Sequence, residues 1–166
     1  CVWTADPTYW YRHAPLLFPI VGRLKDQQYT LDGRLYSISK HGFARDLTFS
    51  VASASATRLD LTLRATAETR KMYPYDFELT IRYTLDGDTL KKEHIVRNTT
   101  DIPLYYEIGG HDAYLLNFDQ AGLSDYYLEF EDCDALSIIE CDETVTLSQE
   151  HRRVPLDHGR LFLTQE

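Results

Sequence analysis

Leu59, Leu61, Leu63 and Ala65 alternate with polar residues, and Phe77, Leu79, Ile81, Tyr83 and Leu85 do so again. A period of two places one side of a strand on a core and the other toward water. Asp86-Gly87-Asp88 follows the second run and predicts a tight turn into a third strand over 89–97. In that strand Lys92 and His94 share a face with Leu90 and Val96, so its inner side is less purely apolar. Asp32-Gly33 predicts a further hairpin over 28–39, joining Tyr29-Thr30-Leu31 to Arg34-Leu35-Tyr36-Ser37-Ile38. Residues 15–23 hold a short apolar run bracketed by Pro15 and Pro19, which predicts an ordered, buried loop or edge strand and excludes a helix. Further strands are expected over 47–51, 103–108, 126–131, 137–140 and 144–147. A single helical turn is expected within 66–73, ended by Pro74. Strands spaced by roughly ten residues with turns between them define an all-β antiparallel sandwich, with residues 1–166 read as one domain.

Composition narrows the function more than the fold. The 166 residues include 26 acidic and 17 basic side chains, a formal charge of −9. Nucleic-acid and anionic-membrane surfaces need clustered Lys and Arg, so both are excluded as partners. No apolar run approaches the roughly 18 residues of a membrane span. Cys1, Cys133 and Cys141 are odd in number and lack a CxxC spacing. Free thiols in a reducing cytoplasm are the expectation, with no zinc site. The acidic run 129–134 lacks the spacing and glycine of a calcium loop and reads as a solvated strand end. No G-x-S-x-G or paired Cys/His signature marks a nucleophile.

The candidate chemistry lies in two short stretches. Glu107-Ile108-Gly109-Gly110-His111-Asp112 carries an expected strand into two glycines and a histidine. Paired glycines there permit a close backbone approach, and a histidine exchanges protons near neutrality. Alone, the stretch reads first as a structural histidine beside a turn. His41-Gly42-Phe43-Ala44-Arg45 is a second such cluster at the head of an expected strand, where β scaffolds present binding residues. Arg23 follows Gly22 at the end of the proline-bracketed run and offers a guanidinium fork to hydroxyls or an anion. His151-Arg152-Arg153 and His158 read as surface loop residues.

Residues 18–24 (FPIVGRL), His41-Gly42-Phe43-Ala44-Arg45, Tyr73-Pro74 and Gly109-Gly110-His111 occur in that order. The set resembles the aldose 1-epimerase (galactose mutarotase-like) family, and within it the bacterial LacX-type branch, as do the stretches 126–130 and 153–156. The resemblance implies a large β-sandwich with a sugar site on a sheet face and no metal or redox cofactor. It implies interconversion of the α and β anomers of an aldose by acid–base ring opening. His111 would be the general acid at the ring oxygen and His41 the second catalytic histidine. Arg23, Arg45 and Asp112 would bind substrate, a small sugar or sugar phosphate. Hexose-6-phosphate 1-epimerase activity and a non-catalytic carbohydrate-binding sandwich are the alternatives. Two departures stand out. Asp112 occupies a position where the branch usually has proline, and the family's general-base glutamate is expected beyond Glu166. With no initiator methionine, the chain reads as an incomplete, internal segment, prone to self-association or pairing with the remainder of its polypeptide.

Overall fold

A computed structural model describes residues 3–117, 122–141 and 147–164. The chain divides into two compact units, Pro15–His111 and the combination of Cys1–Ala14 with Asp112–Glu166. Among the described residues it is mostly β, and its named sheets are antiparallel.

In the 15–111 unit the strands are β1 (Leu16–Leu17), β2 (Gln28–Leu31), β3 (Arg34–Ser37), β4 (Ser50–Ala54), β5 (Arg58–Arg64), β6 (Phe77–Asp86), β7 (Thr89–Asn98) and β8 (Gly109–Gly110). A four-stranded sheet runs β4-β5-β6-β7. Its register sets Leu63 opposite Leu79 and Leu61 opposite Ile81, then Leu79 opposite Val96 and Ile81 opposite His94. The shared faces of the period-two reading therefore form, His94 with Val96 included, with Phe77, Leu79 and Ile81 buried but Leu85 and Leu90 exposed near the β6–β7 turn. The β2–β3 hairpin also forms as expected. Asp32 and Gly33 both adopt positive φ, 48° and 76°, the conformation a two-residue turn with matching twist requires.

Phe18, fully buried, is the hub of the core. Its ring meets those of Phe77 at 5.1 Å, Tyr106 at 5.7 Å, Tyr73 at 6.1 Å and Phe43 at 6.4 Å. Burying a side chain of this size contributes about 1.5–3 kcal/mol, so the proline-bracketed run is an anchor and not a surface excursion. The helical turn is α1 (Ala67–Met72). Thr66 Oγ1 accepts the Thr69 amide at 3.2 Å while Thr69 Oγ1 accepts the Thr66 amide at 2.8 Å, a reciprocal cap.

The opposite face of β5 departs from simple alternation. Asp60 and Thr62 are buried although they occupy the polar phase. Arg58 and Arg82 close over Asp60, with nitrogen–oxygen contacts of 2.8 to 3.3 Å, and hold its carboxyl well below the usual carboxylate range. Thr62 bonds Thr80 across the strands at 3.0 Å. Cross-strand polar pairs, and not bare solvent, cover this side.

Two expectations shift in this unit. Residues 103–108 form no strand, because the backbone there is satisfied by other means: the Glu107 amide donates to Pro19 O at 2.9 Å, and Tyr73 Oη donates to Tyr105 O at 2.7 Å. Only Gly109 and Gly110 pair, opposite Leu17 and Leu16. The strand expected over 47–51 starts later, at Ser50, because Ala44–Asp46 form a 3₁₀ turn.

In the other unit β9 (Tyr127–Glu129) pairs with β12 (Arg160–Phe162), and β10 (Ala135–Cys141) pairs with β11 (Leu147–Pro155). The Arg160 guanidinium lies 4.5 Å over the Tyr127 ring and bonds Glu129 at 3.0 Å. The expectation over 126–131 thus shortens and that over 137–140 lengthens. Residues 144–146 of the expected strand 144–147, with Cys1 and Glu166, lie outside the described residues.

Candidate active site

Two folded-back segments of the 15–111 unit bring the expected histidines together. Gly42 adopts φ +68° and forms a bridge with Phe18. A Cβ at Gly42 would lie 2.2 Å from Phe18 O, so only glycine permits this approach. The Phe43 and Ala44 amides then both donate to Phe18 O, at 3.0 and 3.2 Å. This turn carries His41, itself at φ +66°. The β1–β8 pair carries His111, whose amide donates to Pro15 O at 3.1 Å. The two imidazole rings stand edge to face with centroids 6.3 Å apart, although 70 positions separate the residues.

His41 is held at two points by one glycine. Its amide donates to Gly22 O at 2.8 Å, and the Gly22 amide donates to His41 Nδ1 at 3.0 Å. A ring nitrogen that accepts an N–H carries no proton, so neutral His41 is the Nε2–H tautomer. Partial burial pushes the His41 pKa down, and the positive charges of Arg45 and Lys40, with His111, push it the same way. His41 is therefore a neutral hydrogen-bond donor at pH 7.

The arginines differ. Arg23 is exposed and lies one residue beyond Gly22, the glycine that clamps His41. Arg45 is mostly committed to the protein. Its Nη2 donates to Lys40 O at 2.7 Å, and its Nε sits 3.5 Å from Asp46 without a hydrogen-bond partner. Arg45 thus acts on His41 through its charge while its fork is directed at the main chain. Asp112 belongs to the other unit. Glu107 has no role that sequence alone assigns, yet its carboxylate accepts the Val21 amide at 2.8 Å. Its place within the Gly-Gly-His stretch is the one signal that could have pointed to it.

An apolar cavity of about 510 Å³ lies in the same unit, lined by Ile20, Leu24, Tyr29, Tyr73 and Leu104 among others, and by Glu107 at one side. Neither histidine lines it. Burial raises the Tyr29 pKa to about 12 and that of Tyr73 further still, so these hydroxyls offer no proton exchange near neutrality. Among the described residues no group of three or more His, Cys, Asp or Glu is placed to hold a metal ion, and no helix is long and apolar enough to cross a membrane.

The aldose 1-epimerase family model matches residues 1–163. The chromosomal LacX protein of Lactococcus lactis subsp. lactis is 34% identical over 144 residues, covering 82% of this chain and 48% of that protein. The plasmid LacX of the same organism matches to the same extent. A galactose mutarotase related enzyme from Lactobacillus acidophilus superposes with a TM-score of 0.90 at 32% identity, over 98% of this chain and 54% of that one. A galactose mutarotase-like protein from Lactobacillus casei gives a TM-score of 0.83 at 30% identity, covering 98% and 56% of the two chains. This chain thus spans about half the length of the relatives it matches, and it belongs to the aldose 1-epimerase family, in its LacX-type branch.

Proposed function

We propose that the complete protein is a cytoplasmic enzyme that interconverts the anomers of an aldose, and that residues 1–166 supply the acid side of its site within one sandwich domain. Mutarotation removes a proton from the anomeric hydroxyl and delivers one to the ring oxygen. The C1–O5 bond breaks, the aldehyde turns about C1–C2, and the ring closes on its other face with both protons returned. A positioned acid and base each contribute roughly 10²–10⁴-fold.

His111 gives the proton to the ring oxygen. His41, fixed as the Nε2–H tautomer, donates a hydrogen bond to the sugar while remaining neutral. Arg23 binds hydroxyls from the exposed end of the 19–22 loop, Arg45 lies four residues beyond His41 and acts on it through its charge, and Asp112 follows His111 in sequence as a further substrate-binding residue. The base is a carboxylate contributed from outside these residues, as the family resemblance implies. The observation that carries this reading is the pair of rings 6.3 Å apart, one of them locked as a donor.

The test is His111→Ala in the complete protein, followed by polarimetry on freshly dissolved α-glucose or α-galactose. Interconversion should fall by roughly 10²–10⁴-fold, while sugar binding stays measurable. A variant that equilibrates the anomers at the wild-type rate removes His111 from the acid role.

A further inference from the structure

We propose that Glu107 is a positioning residue, whose carboxylate holds the 19–22 loop at Val21 so that the adjacent Gly22 amide reaches His41 Nδ1. The proposal deepens the reading of His41 as a donor to the sugar and rests on it for its kinetic consequence.

The 19–22 loop is tied to Glu107 twice. The Glu107 amide donates to Pro19 O at 2.9 Å, and Glu107 Oε2 accepts the Val21 amide at 2.8 Å. The next amide along, that of Gly22, is the one that donates to His41 Nδ1 at 3.0 Å. Gly22 has φ +84° and open space where a Cβ would sit, so its own side fixes nothing; its carbonyl is held by the His41 amide at 2.8 Å, which leaves its amide to be aimed from the residue before. The bond at Val21 sets that aim. Gly109, two residues after Glu107, approaches the Val21 side chain closely: a Cβ there would lie 3.3 Å from Val21 Cγ2. The segment that ends in His111 therefore grips the loop that orients His41.

Losing the carboxylate leaves the Val21 amide to water and frees the Gly22 peptide to tilt. Once that amide withdraws, Nδ1 becomes free to hold the proton, and Nε2 changes from donor to acceptor. The effect is mechanical. The groups that depress the His41 pKa are its burial, Arg45, Lys40 and His111, and Glu107 is not among them. An acceptor of the same reach should therefore serve without the charge, and a shorter carboxylate should not.

The experiment uses the complete protein with ¹⁵N-labelled histidine, read by long-range ¹H–¹⁵N correlation near pH 7.5, alongside mutarotation kinetics. Wild type should show unprotonated Nδ1 and protonated Nε2 at His41. Glu107→Ala and Glu107→Asp should show a mixture of tautomers and a kcat lowered roughly tenfold to a hundredfold, the range that small misplacements of catalytic groups produce, with KM moving less. Glu107→Gln should keep the wild-type tautomer and a kcat within about twofold of wild type. A purely structural role would lower the unfolding temperature and leave the tautomer unchanged. An unchanged tautomer in Glu107→Ala overturns the proposal, as does a Gln variant no better than Ala. If the complete protein catalyses no mutarotation, the proposed activity fails, while the tautomer still decides the role of Glu107.

Discussion

Replacing Gly42 by alanine tests how much of the site depends on one close backbone approach. Two costs combine. The φ of +68° lies where a Cβ costs about 1–2 kcal/mol. The new Cβ would also fall 2.2 Å from Phe18 O and 2.5 Å from Phe18 C, both backbone atoms of a fully buried residue that has no room to yield. The turn must move instead, straining or breaking the Phe43 and Ala44 bonds to Phe18 O, at about 1 kcal/mol each. The total is about 3–4 kcal/mol. Gly87→Ala is the matched control, since Gly87 has φ +57° but nothing within 4 Å of where a Cβ would sit. It should lose only the conformational part, about 1–2 kcal/mol. Urea unfolding of both variants in the complete protein would give the difference as a shift in midpoint at constant m. A Gly42→Ala variant that loses no more than Gly87→Ala would refute the claim that this approach holds the His41 turn in place.

Two further outcomes follow from the site. The His41 resonance should titrate with a midpoint below the ordinary 6.5. Because the unfolded chain then takes up the proton first, the stability His41 contributes is complete above pH 6.5 and is lost as pH falls through its lowered folded value; a midpoint at or above 6.5 contradicts this. Arg23→Ala should raise KM for the sugar about 10–100-fold, the worth of one charged hydrogen bond, with kcat nearly unchanged in steady-state assays; an unaltered KM would remove Arg23 from the binding site.

Much of the sheet was legible in the sequence because β6 buries Phe77, Leu79 and Ile81 at period two and its register carries that alternation to β5 and β7. The β2–β3 hairpin was legible because Asp-Gly is among the few pairs that accept two positive φ values. Residues 103–108 misled for the same reason. Leu104, Tyr106 and Ile108 alternate like a strand, but the Glu107 amide between them bonds Pro19 O and the Tyr105 carbonyl accepts the Tyr73 hydroxyl, which no local pattern encodes. The burial of Asp60 was equally hidden, since it depends on Arg82 arriving across the strand pair. At the site, motif order pointed to His41 and His111 separately, and their 6.3 Å approach arises from the Phe18–Gly42 and Leu17–Gly109 pairings. Arg45 fitted the motif, yet its Nη2 is turned to Lys40 O, a choice of side-chain direction that spacing cannot express.

Both histidines are located by peptide groups, His41 through Gly22 O and His111 through Pro15 O. A distance written in main-chain bonds depends on few positions, Gly42 and Glu107 among them, and is largely indifferent to the other side chains around it. Lineages can therefore drift far in composition while the two rings keep their separation, and a substitution library at the exposed Tyr105 should retain it as well. Length is the fragile variable. One residue inserted or deleted between 15 and 22, or between 107 and 111, shifts the register of these bonds and moves a histidine by a whole residue, about 3.3 Å in an extended chain. Loop grafts and family shuffling in this protein should preserve residue count there before residue identity.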